Sequence, residues 1–397
     1  MPTRAPGVLI GLITMLVSVG PLTASIYIPS LTDIRHALGA TEAQVQLTVT
    51  AYLVGFAFAQ LAVGPLSDRF GRRPVLFAGL GIFIAASIGC ALAGSAEELA
   101  AMRVVQAFGA CTGPVAGRAM VRDLFPAERA RSVFAVVGTA LAIAPAIAPV
   151  LGGQLQTHIG WEANFYALAI IAAALLLFML AMLEESNRFK DPTATNPRRL
   201  VANYRELLRH RGYVGCGLVV GFVFFGLFAY SAASPFVLRG ILGLGADTFG
   251  WLALFNVAAY VLGTLLARSL GNRYALVSVL RLGVAVMAAG GLAMLAATQA
   301  GWVSVLSVIA TVMLFNIGMG IALPNAFAGA IGPFPRIAGS ASALVGFSQM
   351  GIGAAGTVLV AGLEDGTAAP MGIAVAVSGL AAAAIGWTVV PRTAGTG

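Results

Sequence analysis

A chain of 397 residues with 59% hydrophobic side chains, 10% charged ones and a mean hydropathy of +0.92 is too apolar for a water-soluble enzyme, which needs about a quarter of its residues charged. The formal charge of +8, from 22 Arg and one Lys against 15 acids, would suit a nucleic-acid binder only with a basic patch interleaved with aromatics. No such patch is present, and the placement of the basic residues speaks for membrane topology.

Apolar runs of spanning length fall near residues 8–28, 45–65, 74–93, 97–117, 132–154 and 164–183. The first follows Arg4 and is long for a signal-peptide core, so it reads as a retained first helix. A second set lies near 213–237, 249–270, 275–297, 302–323, 338–361 and 370–390. Six runs on each side of a polar, basic stretch predict an all-α membrane protein of 12 transmembrane helices in two six-helix bundles. The expected divisions are an N-terminal bundle over 1–183, a cytoplasmic linker over 184–212 and a C-terminal bundle over 213–397. With both termini in the cytoplasm, nineteen of the 23 Lys and Arg fall on the cytoplasmic side and two, Arg35 and Arg239, on the other. Arg103 and Arg281 lie within spans, and Arg281 is expected to snorkel to the cytoplasmic surface.

The loop expected between spans two and three reads Gly64-Pro65-Leu66-Ser67-Asp68-Arg69-Phe70-Gly71-Arg72-Arg73-Pro74, a glycine-punctuated turn with one acid and three arginines. It resembles the signature loop of the major facilitator superfamily, G-x-L-x-D-R-x-G-R-R, at every fixed position. That resemblance implies a major facilitator fold and a loop that locks the outward-facing state. It assigns Gly64, Asp68, Arg69, Gly71, Arg72 and Arg73 to conformational coupling.

In span four, Arg103 stands in an apolar run where a charge is expensive and so marks function, unless it snorkels from near the helix start. Leu99, Arg103 and Gln106 resemble the superfamily pattern L-x-x-x-R-x-x-Q-G, with Ala107 at the usual glycine. In proton-driven relatives that arginine tunes a titrating carboxylate or binds substrate. Span five holds Pro145, Pro149, Gly152 and Gly153, which bend a helix and let a neighbour's backbone approach. The string resembles the antiporter motif in the A-P-x-x-A-P-x-x-G-G form that marks drug exporters; a purely structural kink is the alternative.

Further strings narrow the resemblance: Ile26 to Pro29 closing span one, Arg118 to Asp123 after span four, Ser234 to Val237 closing span seven, Phe249-Gly250 before span eight, Pro324 to Ala326 after span ten, and Ala338 to Leu344 opening span eleven. Together these resemble the bicyclomycin and chloramphenicol resistance (Bcr/CflA) exporters, twelve-span drug:proton antiporters of the bacterial inner membrane. The resemblance runs from about residue 20 to 385.

Two departures bear on mechanism. Members usually carry an aspartate four residues before the span-one proline, and here that position is Ser25. Glu162 follows Trp161 where the family commonly has Arg. All 15 acids are expected in loops or at span ends, so a buried proton-carrying carboxylate is missing. Three solutions stay open: Asp33 at the far mouth of the cavity, Asp68 within the loop relay, or a substrate that brings its own proton or negative charge to Arg103. An unpaired cavity arginine disfavours permanently cationic drugs.

Polar and aromatic members of the apolar helices are the substrate-binding candidates: Tyr27, Tyr52, Phe56, Gln60 and Arg103 from the first half, and Phe224, Phe228, Tyr230, Asn256, Tyr260, Asn316 and Gln349 from the second. Tyr52, Phe56 and Gln60 share a helix face at four-residue spacing. No catalytic, phosphate-loop or metal-ligand spacing occurs; His36, His158 and His210 are isolated in expected loops, and Cys90, Cys111 and Cys216 read as small core residues. The resemblance implies a monomeric multi-pass exporter driven by proton exchange, and Arg103 adds a preference for small lipophilic neutral or anionic compounds; no cofactor, metal or nucleic-acid partner is expected. A narrow-specificity metabolite transporter and a transport-dead membrane sensor are the alternatives.

Overall fold

The computed structural model describes residues 6–125, 127–187, 190–334 and 337–391; the side chains at 6, 127–132, 134, 135, 138–143, 145 and 146 lie outside the described set. Every regular element among the described residues is helical. The first half holds α1 (Pro6–Ser25), a short α2 (Leu31–Ala37), α3 (Glu42–Phe70), α4 (Arg72–Ala91), α5 (Ala96–Leu124), α6 (Ala127–His158) and α7 (Glu162–Met182). The amphipathic α8 (Pro197–Leu208) follows. The second half holds α9 (Arg211–Pro235), α10 (Ala246–Gly271), α11 (Leu276–Gln299), α12 (Val305–Ile331), α13 (Ala338–Gly362) and α14 (Ala369–Thr388).

Helix starts are set by polar caps. Thr41 and Gln44 form a capping box at α3, Ser95 caps α5, and Ser304 with Ser307 boxes α12. Among the described residues ten helices are long and apolar enough to cross a membrane. Their outer faces present large apolar side chains, such as Ile170, Leu177 and Leu306, as a lipid-facing surface requires.

The same pairing recurs in the two halves. In the first, α5 packs on α1, α3 and α4, α4 on α7, and α1 on α6. In the second, α12 packs on α9, α10 and α11, α11 on α14, and α9 on α13. Lipid tails are as apolar as leucine, so these contacts depend on close backbone approach through small residues. Gly263 and Gly320 illustrate it: a Cβ on either would lie 2.9–3.0 Å from the other's Cα across α10 and α12.

The halves meet along α3 and α13, between α6 and α10, and through residues Ile28–Ser30, which touch α9 and α10. α2 also touches the Phe236–Ile241 turn after α9. Apart from the long α3 to α13 contact, these cluster at the end that holds Asp33 and Arg239.

Several expected loops are helical. Gly64 to Phe70 belong to α3 and only Gly71 breaks the chain before α4, because its φ of 107° suits glycine. Arg118 to Asp123 lie in α5, Phe249-Gly250 in α10 and Pro324 to Ala326 in α12. His36 lies on α2, His158 ends α6 and Glu162 opens α7. Hydropathy locates the lipid-crossing core of a helix, whereas backbone hydrogen bonding carries the helix on into its polar ends.

Candidate functional site

Arg103 sits on α5 with no exposed surface. Its guanidinium lies 4.3 Å from the Tyr27 ring and 4.1 Å from the Tyr52 ring, with Phe165 at 6.0 Å. It donates to Gln106 Oε1 at 2.6 Å and to the Thr23 carbonyl at 3.3 Å, while its Nε and second Nη have no partner. Among the described residues no carboxylate lies within ion-pair distance of it. A buried charge needs compensation, and here two ring faces and two carbonyl oxygens supply it in place of an acid.

The box is itself held in place. Tyr52 donates to the Gly20 carbonyl at 2.9 Å, Tyr27 shares a hydrogen bond with Thr48 at 3.2 Å, and Gln106 donates to Ser87 at 2.8 Å. Tyr27 and Tyr52 are therefore walls around Arg103. Arg103 does not snorkel, since its partners come from α1 and its own helix turn in the protein interior. Ser25, the last residue of α1, adds no charge to this box.

The remaining cavity candidates divide between the halves. Phe56 is buried beside Gly20 and stacks on Tyr52 at 5.8 Å. Gln60 is buried at the α3 to α13 seam, where Gly346 has no side chain to obstruct it. Phe224 and Phe228 stack at 5.8 Å, and Phe228 fills the space beside Gly353. Tyr230 lies next to Asn256, whose buried Oδ1 has no partner. Asn316 is buried, and Tyr260 and Gln349 are half-buried.

Around Gly71 an ion network joins three segments. Arg72 donates to Asp68 at 2.5 Å, Asp123 at 3.0 Å and Ser67 at 3.0 Å. Glu185 accepts from the Arg72 and Arg73 N–H groups at 2.9 and 3.2 Å, placing a carboxylate on the N-terminus of α4. Asp191 N–H and the Asn187 amide both donate to the Asp68 carbonyl, and Arg69 donates to Thr195 at 2.7 Å. Arg73 stacks on Phe77. Gly64, in α3, has ample space on its Cα, with only Val115 at 4.0 Å. Sequence reasoning did not assign Glu185, Asp123 or Ser67 to this network, although Ser67 stands within the Gly64 to Pro74 string and Asp123 closes the Arg118 to Asp123 string.

On α6, Gly152 and Gly153 face opposite ways. A Cβ on Gly152 would strike the Ile26 carbonyl within the first half, and one on Gly153 would strike the Ala246 carbonyl of the second. Gly250 of α10 returns the contact, its Cα lying against the Pro149 carbonyl and Val150. The backbone of α6 stays helical through Pro145 and Pro149; Pro149 is buried, and the Pro145 side chain lies outside the described residues.

Asp33 pairs with Arg239 of the other half at 2.5 Å, and Arg239 also donates to the Pro29 carbonyl. Thr50 and Thr357 share a hydrogen bond at 2.6 Å across the same interface. Arg281 donates to the Gly386 and Val390 carbonyls at the end of α14 and stacks on Trp387. The three cysteines are free and buried.

Two matched helical halves, a buried arginine with no carboxylate partner among the described residues and an ion network at one end are features of a polytopic membrane transporter. Residues 13–358 match the profile of the Major Facilitator Superfamily, and the chain belongs to that superfamily, in its bicyclomycin and chloramphenicol resistance branch. It is 33% identical to the chloramphenicol resistance protein of Pseudomonas aeruginosa over 94% of this chain and 88% of that protein. It is 30% identical to multidrug resistance protein D of Escherichia coli (strain K12), covering 85% and 84% of the two chains. With the bicyclomycin resistance protein homolog of Haemophilus influenzae it shares 28% over 91% and 90%. Solved structures of a D-xylose-proton symporter and of the inward-open xylose transporter of E. coli share the fold, each with a TM-score of 0.73 over 98% of both chains, at 18% and 17% identity. The protein is a transporter and not an enzyme.

Proposed function

We propose that this protein exports small lipophilic compounds, neutral or anionic and of the phenicol or bicyclomycin kind, across the bacterial inner membrane. The resistance proteins it resembles over most of their length support export of drugs. The charge preference rests on one observation: Arg103 is fully buried, and among the described residues no acid answers its charge. A cationic drug brought into that box meets an uncompensated like charge, and a carbonyl, nitro or carboxylate group meets a donor with free N–H groups.

In this reading the chain crosses the membrane 12 times as a monomer with both termini in the cytoplasm, in two bundles over 1–183 and 213–397 joined by the 184–212 linker. The bundles rock about the α3 to α13 and α6 to α10 seams. Exchange for protons drives export, and Asp33 and Asp68 carry the coupling because the usual span-one acid is Ser25. Both are engaged by arginines whose release is part of rocking. Pro145, Pro149, Gly152 and Gly153 shape the second seam. Gln60, Asn256, Asn316 and Gln349 with Phe56, Phe224, Phe228, Tyr230 and Tyr260 form the permissive wall, which assembles as the seam opens.

The test is accumulation of radiolabelled chloramphenicol in efflux-deficient cells, with and without a protonophore, beside Arg103→Ala. Lower accumulation that the protonophore restores and the variant abolishes supports the reading. Unchanged accumulation of chloramphenicol together with uptake of one carboxylated metabolite by vesicles favours the narrow-specificity alternative, for which the unpaired Arg103 is equally suited.

A further inference from the structure

The end that holds Asp33 and Arg239 carries a further contact between the halves. Glu364, in the loop after α13, accepts a hydrogen bond from the Ala43 N–H on the first turn of α3 at 3.0 Å. Glu42 is its neighbour on that turn. Both carboxylates, with Asp365 and Thr367, line a cavity of about 10 Å³ between the halves, room for one water molecule. Gln46, one turn further along α3 and fully buried, donates to Glu42 at 3.0 Å, and its own Oε1 has no partner.

The charges facing Glu42 are known from each packed element. Glu364 and Asp365 face it from the loop after α13, and Arg35 of α2 faces it at 3.8 Å. Glu97, at the start of α5, is occupied by the Gln44 amide at 2.9 Å. Asp365 lies outside the spanning helices, where the Thr367 hydroxyl and N–H hold it below the usual carboxylate range, so it contributes a fixed negative charge. Glu42 thus faces one arginine of its own half and two acids of the opposite half.

We propose that Glu42 and Glu364 bind one proton between them whenever this end of the transporter closes. Closing brings the two acids to the lining of one small, partly open cavity, and a proton held between them removes their repulsion. Opening separates the acids with their halves, and the proton leaves to the side from which it came. The site therefore biases the gate by the pH of that side and moves no net charge across the membrane. A closed form that binds the proton more tightly gains population as pH falls and loses it as pH rises. The inference rests on the alternating movement proposed above, whatever compound is carried.

The experiment is double electron–electron resonance on the full chain in lipid nanodiscs, with nitroxides at Ala37→Cys and Gly362→Cys. Both positions are exposed and belong to opposite halves, and the native cysteines are buried. The short-distance population is expected to rise about tenfold relative to the long one between pH 8 and pH 5. Glu42→Gln and Glu364→Gln should each hold the closed population high at pH 8 and flatten its pH dependence. Asp33→Asn, which removes the neighbouring ion pair, should leave a pH-dependent transition. Size-exclusion profiles identify any variant that fails to fold, and Glu42→Asp, which keeps the acid, then replaces it with the transition retained. Two populations with identical pH profiles in the parent and both Gln variants would overturn the shared proton and leave alternation intact. A single distance at every pH in every variant would overturn both.

Discussion

Asp33 on α2 and Arg239 beyond α9, 206 positions apart, meet at 2.5 Å and tie the two halves together at one end. Each lies on a segment that touches the other half, and Arg239 additionally binds the Pro29 carbonyl. The pair is partly exposed, so after solvent screening it is worth about 1 kcal/mol, the upper end of what surface ion pairs contribute. Asp33→Asn should therefore shift the closed-to-open ratio about fivefold toward open, read by cysteine accessibility on that end. The exchanged pair Asp33→Arg with Arg239→Asp should restore it, and failure of the exchange to restore it would show that the contact is incidental.

Arg103 should tolerate no replacement. Arg103→Ala removes the charge and leaves the Gln106 and Thr23 oxygens without their donor, so export is lost. Arg103→Lys keeps the charge but loses the planar stacking between Tyr27 and Tyr52, and export should fall about tenfold. Full export by Arg103→Lys in a drug-accumulation assay would mean that charge alone matters.

Gly152 and Gly153 are neighbours with different predicted phenotypes. Gly152→Ala forces a methyl onto the Ile26 carbonyl inside one half and should lower the melting temperature in detergent, a destabilisation of about 1–3 kcal/mol. Gly153→Ala, like Gly250→Ala, places the methyl at the seam between halves. It should leave the melting temperature nearly unchanged while holding the Asp33 end open, read by labelling of a cysteine at Ala37. Equal loss of stability in both variants would remove the distinction.

At the opposite end, Glu185→Ala removes the carboxylate from the first N–H groups of α4 and should destabilise the charged hinge by about 1 kcal/mol. Protease susceptibility of the 184–212 segment should rise in that variant, since its anchor is lost. Unchanged cleavage would place the anchor elsewhere, at the Asp68 carbonyl.

Much of the fold was legible in the sequence. Long apolar runs, the polar stretch after Met182 and the skew of arginine are local properties, and each is set by whether a segment faces water or lipid. Arg103 was likewise legible, since a charge inside an apolar run stands out on its own. So was the Asp68 to Arg73 string, although its expected loop proved to be helix with a single break at Gly71.

The partners were not legible. These helices are apolar nearly all round, because one side meets lipid and the other meets protein, so periodicity marks no inward face. Rotation of each helix about its axis, decided by where small residues allow backbones to approach, is what turned Gly152 toward Ile26 and Gly153 toward Ala246. The same tertiary choice brought Glu185 to α4, Arg239 to Asp33 and Glu364 to the first turn of α3. The sequence by itself determined a polytopic transporter with a buried arginine; only packing decided that this arginine lies between two tyrosines with no acid among the described residues to answer it.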